Sequence, residues 1–353
     1  MAFTGPVHNT ELYKEQVRYG KEEQDRRKNS PVYIDGDDVS RLLETGRGVY
    51  LVDNRMGFNN RTHRLFVSKH LPSAEEEKYK TLGHRHTVEA VIHWMEGNGY
   101  SIIDGKRYDW EAGDFICVPM FAWHRHINTG DTPALHVAST TGPLSMGIGT
   151  AVYEDERFPE YWIYAQQGED ALNTLIPAGD EVKAGDEAKD ENTIDAESSQ
   201  SSSKSARLYA EQVAFASEEE IKRRNSKVLV RGRDLEFEST AMGTVAYVVD
   251  YRIGFHAKAL ATLVAEIPPG KRSGAHRHFY DEIDYIRAGS GYAIVNDKRY
   301  DIKKGDGLAI PTFAWHQYFS TGDEPLRILV HSTRPLMENL GFSLTHQGED
   351  CNY

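Results

Sequence analysis

Residues 84–86 read His-Arg-His, and residues 276–278 read His-Arg-His again, 192 positions further along the chain. Each triplet is followed by the sequence Phe-Ala-Trp-His, at residues 121–124 and 313–316. Side chains two positions apart on a β-strand point to the same side, so the two histidines of each triplet are predicted to face one way. We interpret the pattern as a metal site built twice on a duplicated chain.

The duplication runs through most of the 353 residues. The offset between matching residues is 196 or 197 near the N-terminus, 192 at the histidines and 180 at the shared Gln-Gly-Glu-Asp ending, residues 167–170 and 347–350. One domain was therefore copied and joined to itself. We predict an N-terminal domain over residues 1–177 and a C-terminal domain over residues 208–353. Four residues illustrate the match: Asp53, Arg55, Gly57 and Phe58 return as Asp250, Arg252, Gly254 and Phe255.

Residues 178–207 join the two copies. The segment is rich in Asp, Glu and Ser and has almost no large apolar side chains. Such a composition cannot bury enough surface to offset the entropy lost on ordering, so we predict a flexible linker.

Composition excludes several classes of function. A formal charge of −13 and a pI near 5.6 argue against a nucleic-acid partner. The N-terminus has no secretion-signal pattern, and no stretch approaches the roughly 18 apolar residues of a membrane span. Two cysteines, Cys117 and Cys351, make neither a disulfide framework nor a zinc motif. We expect a protein of the reducing cytoplasm.

Short β-branched and aromatic runs, bounded by Gly, Asp and Asn turns, follow a polar helical stretch in each copy. The helical stretches are residues 11–28 and 210–224, and the runs include residues 91–94, 100–103, 115–118, 293–295 and 307–310. This pattern predicts an all-β chain of two tandem barrels, each with a short helical N-terminal extension.

A third imidazole would complete each pair of same-face histidines. His84 and His86 would be joined by His124, and His276 and His278 by His316. Imidazole binds Fe, Zn, Cu, Ni and Mn well, and three such ligands leave coordination positions open for reactants. Any one of these histidines could be an ordinary polar residue, but six of them at the same spacing in two copies favour metal binding.

These residues resemble the motifs of the cupin superfamily. The second copy fits the first motif throughout, with Gly270, His276, His278, Glu282 and Gly289. Its second motif fits at Gly305, Pro311 and His316, although Ser320 stands where an Asn is usual. The first copy lacks the opening Gly and has Ala90 at the glutamate position. The resemblance implies two jelly-roll barrels, and Glu282 as a fourth ligand in the second.

The first copy resembles the gentisate, salicylate and 1-hydroxy-2-naphthoate 1,2-dioxygenases, which share its His-Arg-His, its Ala90 and its Trp-His-x-His. The resemblance implies Fe(II) held by three histidines, with catalysis in the N-terminal barrel. The substrates would be O2 and a small hydroxylated aromatic, and the protein would form homo-oligomers. His126 would hydrogen-bond a substrate oxygen or move a proton; the alternative is a supporting histidine at the rim.

The first copy also departs from that family. Ile92 stands where the family has an arginine that grips the substrate carboxylate. Arg55, Arg61 and Arg64 are candidates to replace this cation. A less acidic or differently substituted aromatic is therefore an alternative to gentisate.

The second copy suggests a competing hypothesis. Its His3Glu set resembles that of bicupin decarboxylases, quercetin-type dioxygenases and isomerases, and the resemblance implies Mn, Fe, Ni or Cu as the metal. Asp284 could face the same cavity, and the substrate pockets would include Ile92 and Trp94 in the first copy and Tyr318 in the second. A third hypothesis is a storage-like or sugar-binding bicupin that has lost its metals, but here all six histidines are present.

Overall fold

The computed structural model describes residues 9–73, 83–155 and 203–353. Most of the predicted linker, residues 178–202, lies outside the described residues. The prediction of two all-β barrels with short helical extensions is confirmed.

The first half contains three helices and eleven strands within the described residues. They are α1 (Asn9–Asn29), β1 (Tyr33–Ile34), α2 (Gly36–Thr45), β2 (Gly48–Val52), β3 (Arg64–His70), β4 (His84–His86), β5 (Ala90–Glu96), β6 (Asn98–Ile103), β7 (Lys106–Glu111), β8 (Phe115–Val118), β9 (His124–Asn128), β10 (Ala134–Thr140), α3 (Gly142–Gly147) and β11 (Tyr153–Asp155).

The second half repeats most of this order, with a 3-10 turn (Gly232–Asp234) in place of α2 and one additional strand, β13. Its elements are α4 (Lys204–Arg224), β12 (Leu229–Val230), β13 (Glu238–Thr240), β14 (Gly243–Val249), β15 (Ala261–Ile267), β16 (Ala275–His278), β17 (Glu282–Ala288), β18 (Ser290–Val295), β19 (Lys298–Lys303), β20 (Gly307–Ile310), β21 (His316–Ser320), β22 (Leu326–Ser332), α5 (Arg334–Asn339) and β23 (Thr345–Glu349).

Two antiparallel sheets build each barrel. In the first half their strand orders are β12-β8-β5-β10-β3-β2 and β11-β4-β9-β6-β7. In the second half they are β1-β20-β17-β22-β15-β14-β13 and β19-β18-β21-β16-β23. The hairpins β6–β7 and β18–β19 turn at Asp104-Gly105 and Asn296-Asp297, all with positive φ, which Asn, Asp and Gly tolerate best.

The helix α4 begins earlier than the sequence suggested. The Ser203 side chain accepts a hydrogen bond from the backbone N–H of Ala206 and caps the helix at Lys204. The last residues of the predicted linker, 204–207, are therefore helical, because a serine in a polar run can act as a helix cap.

The two halves exchange a strand. Strand β1 pairs with β20 of the second half, and β12 pairs with β8 of the first. A buried aspartate anchors each crossing: Asp306 accepts the backbone N–H of Gly36, and Asp114 accepts that of Gly232. Neither half therefore completes its sheet alone.

One hydrophobic core lies across both halves. It unites residues of the first half such as Leu65, Val91 and Phe115 with Leu260 and Ile283 of the second, all fully buried. Each barrel adds a core of its own. No helix in the described part of the chain is both long and apolar enough to cross a membrane.

Candidate metal centres

Strands β4 and β9 bring three histidines together in the first barrel. His84 pairs directly with His124 across the two strands, and His86 lies on the same side as His84. The ring centres are 4.2 Å apart for His84 and His124 and 4.8 Å for His86 and His124. Their nitrogen donors all lie within 4.8 Å of one another, as ligands of one ion require.

The backbone fixes how two of these rings present their nitrogens. The Nδ1–H of His86 donates to the carbonyl of Val88, and that of His124 to the carbonyl of Ala122, both at 2.8 Å. Because a carbonyl only accepts, the Nε2 of each neutral ring keeps its lone pair for a metal. Burial lowers the pKa of His124 well below its ordinary value, which keeps that ring neutral.

The second barrel holds a set of four. Its members are buried, and their donor atoms lie within 4.8 Å of one another: His276, His278, Glu282 and His316. His276 pairs with His316 across β16 and β21, and their Nε2 atoms are 3.0 Å apart. Glu282 enters from β17 in the opposite sheet.

Contacts within this second set fit a bound cation. The Nδ1–H groups of His278 and His316 donate to carbonyls at 3.0 Å, so in the neutral rings both Nε2 atoms carry lone pairs. These atoms lie 3.2 and 3.3 Å from the oxygens of Glu282, which are also acceptors. Two atoms at roughly 2.1 Å from one ion, at right angles, are about 3.0 Å apart. A metal ion among these atoms would remove the repulsion between facing lone pairs.

Ala90 and Glu282 occupy equivalent places in the two barrels. Ala90 pairs with Thr140 and Val118, and Glu282 pairs with Ser332 and Ile310. The first centre therefore has three imidazoles and no fourth protein ligand at this position, whereas the second has a carboxylate there.

The inner faces of the two barrels differ in chemistry. In the first half, strands β3 and β10 point polar side chains inward: Arg64, Ser68, His70, His136 and Thr140. The equivalent positions in the second half are Ala261, Ala265, Ile267, Ile328 and Ser332. The second half instead carries two inward carboxylates on β17, Glu282 and Asp284, where the first has Ala90 and Ile92.

His126 lies two residues beyond the predicted ligand His124 on β9 and faces the same side of the strand. Its Nδ1 is 2.7 Å from the hydroxyl of Ser101, and its ring centre is 5.7 Å from that of His124. His70 lies 6.1 Å away on its other side and contacts His136 through a 3.2 Å nitrogen pair. His70 and His136 were not among the predicted site residues, because their inward positions depend on the pairing of β3 with β10.

The predicted pocket residues have different surroundings. Ile92 and Trp94 are buried, and Trp94 stacks on Trp110 with ring centres 3.4 Å apart, close to His70. Tyr318 donates its hydroxyl hydrogen to Asp284, and both are buried. Burial, together with the nearby charge of Glu282, raises the pKa of Asp284 well above its ordinary value.

A partly open cavity of about 90 Å³ lies beside the second centre. His276, Glu282, Tyr318 and Arg334 are among the polar groups that border it, and the remaining wall is largely apolar. The second centre therefore has room for a small molecule, although catalysis was predicted in the first barrel.

Comparison with known proteins agrees with this architecture. The cupin domain model matches twice, over residues 74–139 and 263–332, once in each half. The chain therefore carries two cupin domains, the arrangement that the term bicupin denotes. The matches cover the strands that carry both histidine sets, so the repeated sequence pattern and the repeated barrel describe the same duplication.

Curated relatives of the bicupin include aromatic-ring dioxygenases. It is 33% identical over 81 residues to a 5-aminosalicylate 1,2-dioxygenase of Comamonas sp., covering 23% of this chain and 21% of that protein. It is 23% identical over 270 residues to the 1-hydroxy-2-naphthoate 1,2-dioxygenase of Nocardioides sp. strain KP7, covering 73% and 61%. The chain thus spans less than two thirds of the length of either relative.

Solved structures support the fold. A salicylate 1,2-dioxygenase from Pseudaminobacter salicylatoxidans superposes with a TM-score of 0.59 at 16% identity, over 90% of the bicupin and 87% of that chain. A deletion mutant of Bacillus subtilis oxalate decarboxylase gives a TM-score of 0.55 at 14% identity, over 90% and 79%. At such identities the likeness concerns the fold alone.

Proposed function

We propose that the bicupin is an Fe(II)-dependent, ring-cleaving dioxygenase that inserts O2 into a small hydroxylated aromatic acid of the salicylate or gentisate type. The reaction is assigned to the first centre. The observation that carries this proposal is the inner surface of that barrel, where a three-histidine set is surrounded by further histidines and one arginine. At the equivalent place in the second barrel, Glu282 joins the histidines as a fourth donor and would take a metal position that a reactant needs.

Each residue of the first centre has a definite part in this proposal. His84, His86 and His124 would hold the metal on one side and leave adjacent positions for the two reactants. Bound Fe(II) would supply a path for electrons between an aromatic substrate and dioxygen held side by side. Ala90 would keep a carboxylate out of that space, and Trp94 would form part of the wall.

His126 is proposed to hold or move the proton of the substrate hydroxyl through its Nε2 atom, because Ser101 contacts the Nδ1 atom. Replacement of His126 by Phe is expected to lower kcat for salicylate roughly 100-fold or more while the iron content stays unchanged. Steady-state oxygen uptake and metal analysis measure the two effects. An unchanged kcat would leave His126 with a packing role only.

Reconstitution with Fe(II) under anaerobic conditions, followed by oxygen uptake, tests the reaction class. The substrates are salicylates, gentisates, hydroxynaphthoates, catechols and flavonols. We expect oxygen consumption with a hydroxylated aromatic acid and a parallel rise in near-ultraviolet absorption from the ring-cleaved product. Absence of oxygen consumption with every substrate would refute the proposed reaction.

A second candidate function rests on the cavity beside the His3Glu set. There the bicupin would act as a quercetinase-like dioxygenase, a decarboxylase or an isomerase, with Fe, Mn, Ni or Cu. Asp284 and Tyr318 would then provide a buried proton-transfer pair at the second centre. Release of CO2 from a small acid without net oxygen consumption would identify decarboxylation.

We also propose that the bicupin works in the cytoplasm as a homo-oligomer. Both cysteines are free thiols, and Cys117 is buried. Helices α1 and α4 expose matching apolar residues, Leu12, Tyr13 and Val17 on one and Leu208, Tyr209 and Val213 on the other. Such exposed apolar stripes are typical of helices that pack against another subunit. Sedimentation equilibrium tests this directly, and a monomer at micromolar concentration would contradict it.

A further inference from the structure

We infer that Arg64 is the residue that binds the carboxylate of the substrate at the first centre. The inference rests on the proposed function, because it names the group that selects an aromatic acid. Arg64 lies on β3, two strands away from Ile92 of β5. Ile92 is the position at which the related dioxygenases are expected to carry their arginine.

The register of the sheet directs Arg64 toward the centre. Thr140 of β10 pairs with both Arg64 and Ala90, so these three residues form one row across β3, β10 and β5. Leu65, the next residue on β3, faces the opposite side and joins the core shared by the two halves. Arg64 therefore faces the barrel interior, on the row that in the second half carries the ligand Glu282.

Contacts hold the Arg64 guanidinium in place. Its Nε–H donates to the hydroxyl of Thr140 at 3.1 Å, and Nη1 is 3.6 Å from the buried carboxylate of Asp53. A Cβ added to Gly142 would lie only 2.7 Å from this group, so the glycine makes room for it. A positive charge thus lies on the inward-facing row that contains Ala90.

The other two candidate arginines are directed elsewhere. The Arg55 side chain is 55% exposed and the Arg61 side chain 53%, whereas that of Arg64 is 19% exposed. Arg55 makes two short hydrogen bonds to Asp53, and Arg61 pairs with Glu23 of helix α1. Asp53 carries one negative charge and has two guanidinium neighbours, so these three side chains together keep one positive charge for an anion.

The second half contains the same feature with the positions exchanged. Where the first half has Arg64 and Gly142, the second has Ala261 and Arg334. Arg334 pairs with Asp250, the counterpart of Asp53, and borders the cavity of the second centre. A guanidinium is therefore present at the corresponding place in both barrels, although it comes from a different element in each.

Binding of salicylate and of salicylamide to the Fe(II)-loaded bicupin, measured anaerobically by calorimetry, tests the inference. The two probes differ only in the carboxylate. We expect wild type to prefer salicylate, and Arg64→Met to lose about 10- to 100-fold in affinity for salicylate with little change for salicylamide. Arg61→Met removes an equal charge outside the pocket and should leave the preference unchanged.

Two double variants separate anion binding from a structural role. Arg64→Gln with Asp53→Asn removes the guanidinium together with its buried partner, and should lose the preference while remaining folded. Arg64→Ala with Gly142→Arg copies the arrangement of the second half, and should recover part of the preference for salicylate. Equal losses for both probes, or a wild type that does not prefer salicylate, would overturn the inference.

Oxygen uptake is measured separately on the same samples. A carboxylate preference that depends on Arg64, without oxygen uptake, would refute the proposed reaction and leave the inference standing. Oxygen uptake together with a salicylate preference that Arg64→Met leaves unchanged would refute the inference and leave the proposed reaction standing.

Discussion

Ala90 is the residue at which the two centres differ most directly. The equivalent Glu282 lies 3.2 and 3.3 Å from two histidine nitrogens, and Ala90 has the same strand partners in the other barrel. A glutamate introduced at position 90 should therefore reach the first metal and occupy a position that a reactant needs.

Ala90→Glu is expected to retain metal but to lower oxygen uptake with salicylate at least roughly tenfold, because a fourth ligand competes with the substrate for the metal. Metal analysis and oxygen-electrode kinetics check both parts. The matched control is Glu282→Ala, which should leave that activity near the wild-type value. Full activity in Ala90→Glu would show that position 90 does not face the reacting ligands.

Several residues of the site were predictable because the signal is local. Histidines two apart on a strand share a face, and the repeat supplied the third member of each set. The inward positions of Arg64, His70 and His136 depend instead on how β3 pairs with β10, some 70 residues away. No sequence period fixes that register, so these side chains became candidates only once the sheet was known.

The two exchanged strands, β1 and β12, were likewise not predictable from local sequence signals. Strands β1 and β12 are two residues long, too short for a periodic pattern, and each pairs with the other half of the chain. The longer strands and the hairpin turns were predictable because alternation and turn residues are local signals. The points at which the chain crosses into the other half depend instead on the close approach of two backbones, of Gly36 to Gly305 and of Gly232 to Gly113, which only glycine allows.

Gly232→Ala tests the crossing of β12. A Cβ at this position would collide with the backbone of Gly113, so the variant should lose about 2 kcal/mol or more of unfolding free energy. Gly20→Ala is the control, because Gly20 lies within helix α1 with no atom within 4 Å of an added Cβ. It should be neutral or stabilising by up to about 1 kcal/mol. Equal urea midpoints for the two variants would contradict the crossing.

The whole molecule depends on a core that both halves share, and buried histidines adjoin it. His93 stacks on Phe115 with ring centres 4.3 Å apart, and His63 contacts the backbone carbonyl of His331 across the interface. Burial, reinforced by the charge of Arg287, lowers the pKa of His93 to about 3. In the unfolded chain the pKa returns to about 6.5.

This difference predicts that acid weakens the fold. Between pH 6.5 and about 3 the unfolded chain binds a proton at His93 that the folded chain excludes, so the free energy of unfolding falls as the pH falls. In His93→Phe the slope of that free energy against pH should be smaller by up to about 1.4 kcal/mol per unit. Urea unfolding at pH 7, 6, 5 and 4 measures it. Parallel slopes in wild type and variant would contradict the prediction.

The central claim is that His84, His86 and His124 hold the catalytic iron in the first barrel. Its most direct test compares His84→Ala with His276→Ala after anaerobic Fe(II) reconstitution, by metal content and by oxygen uptake with the best aromatic acid. We expect His84→Ala to lose the iron of the first centre and all turnover, and His276→Ala to keep its turnover. Activity that survives in His84→Ala and disappears in His276→Ala would place the reaction in the second barrel.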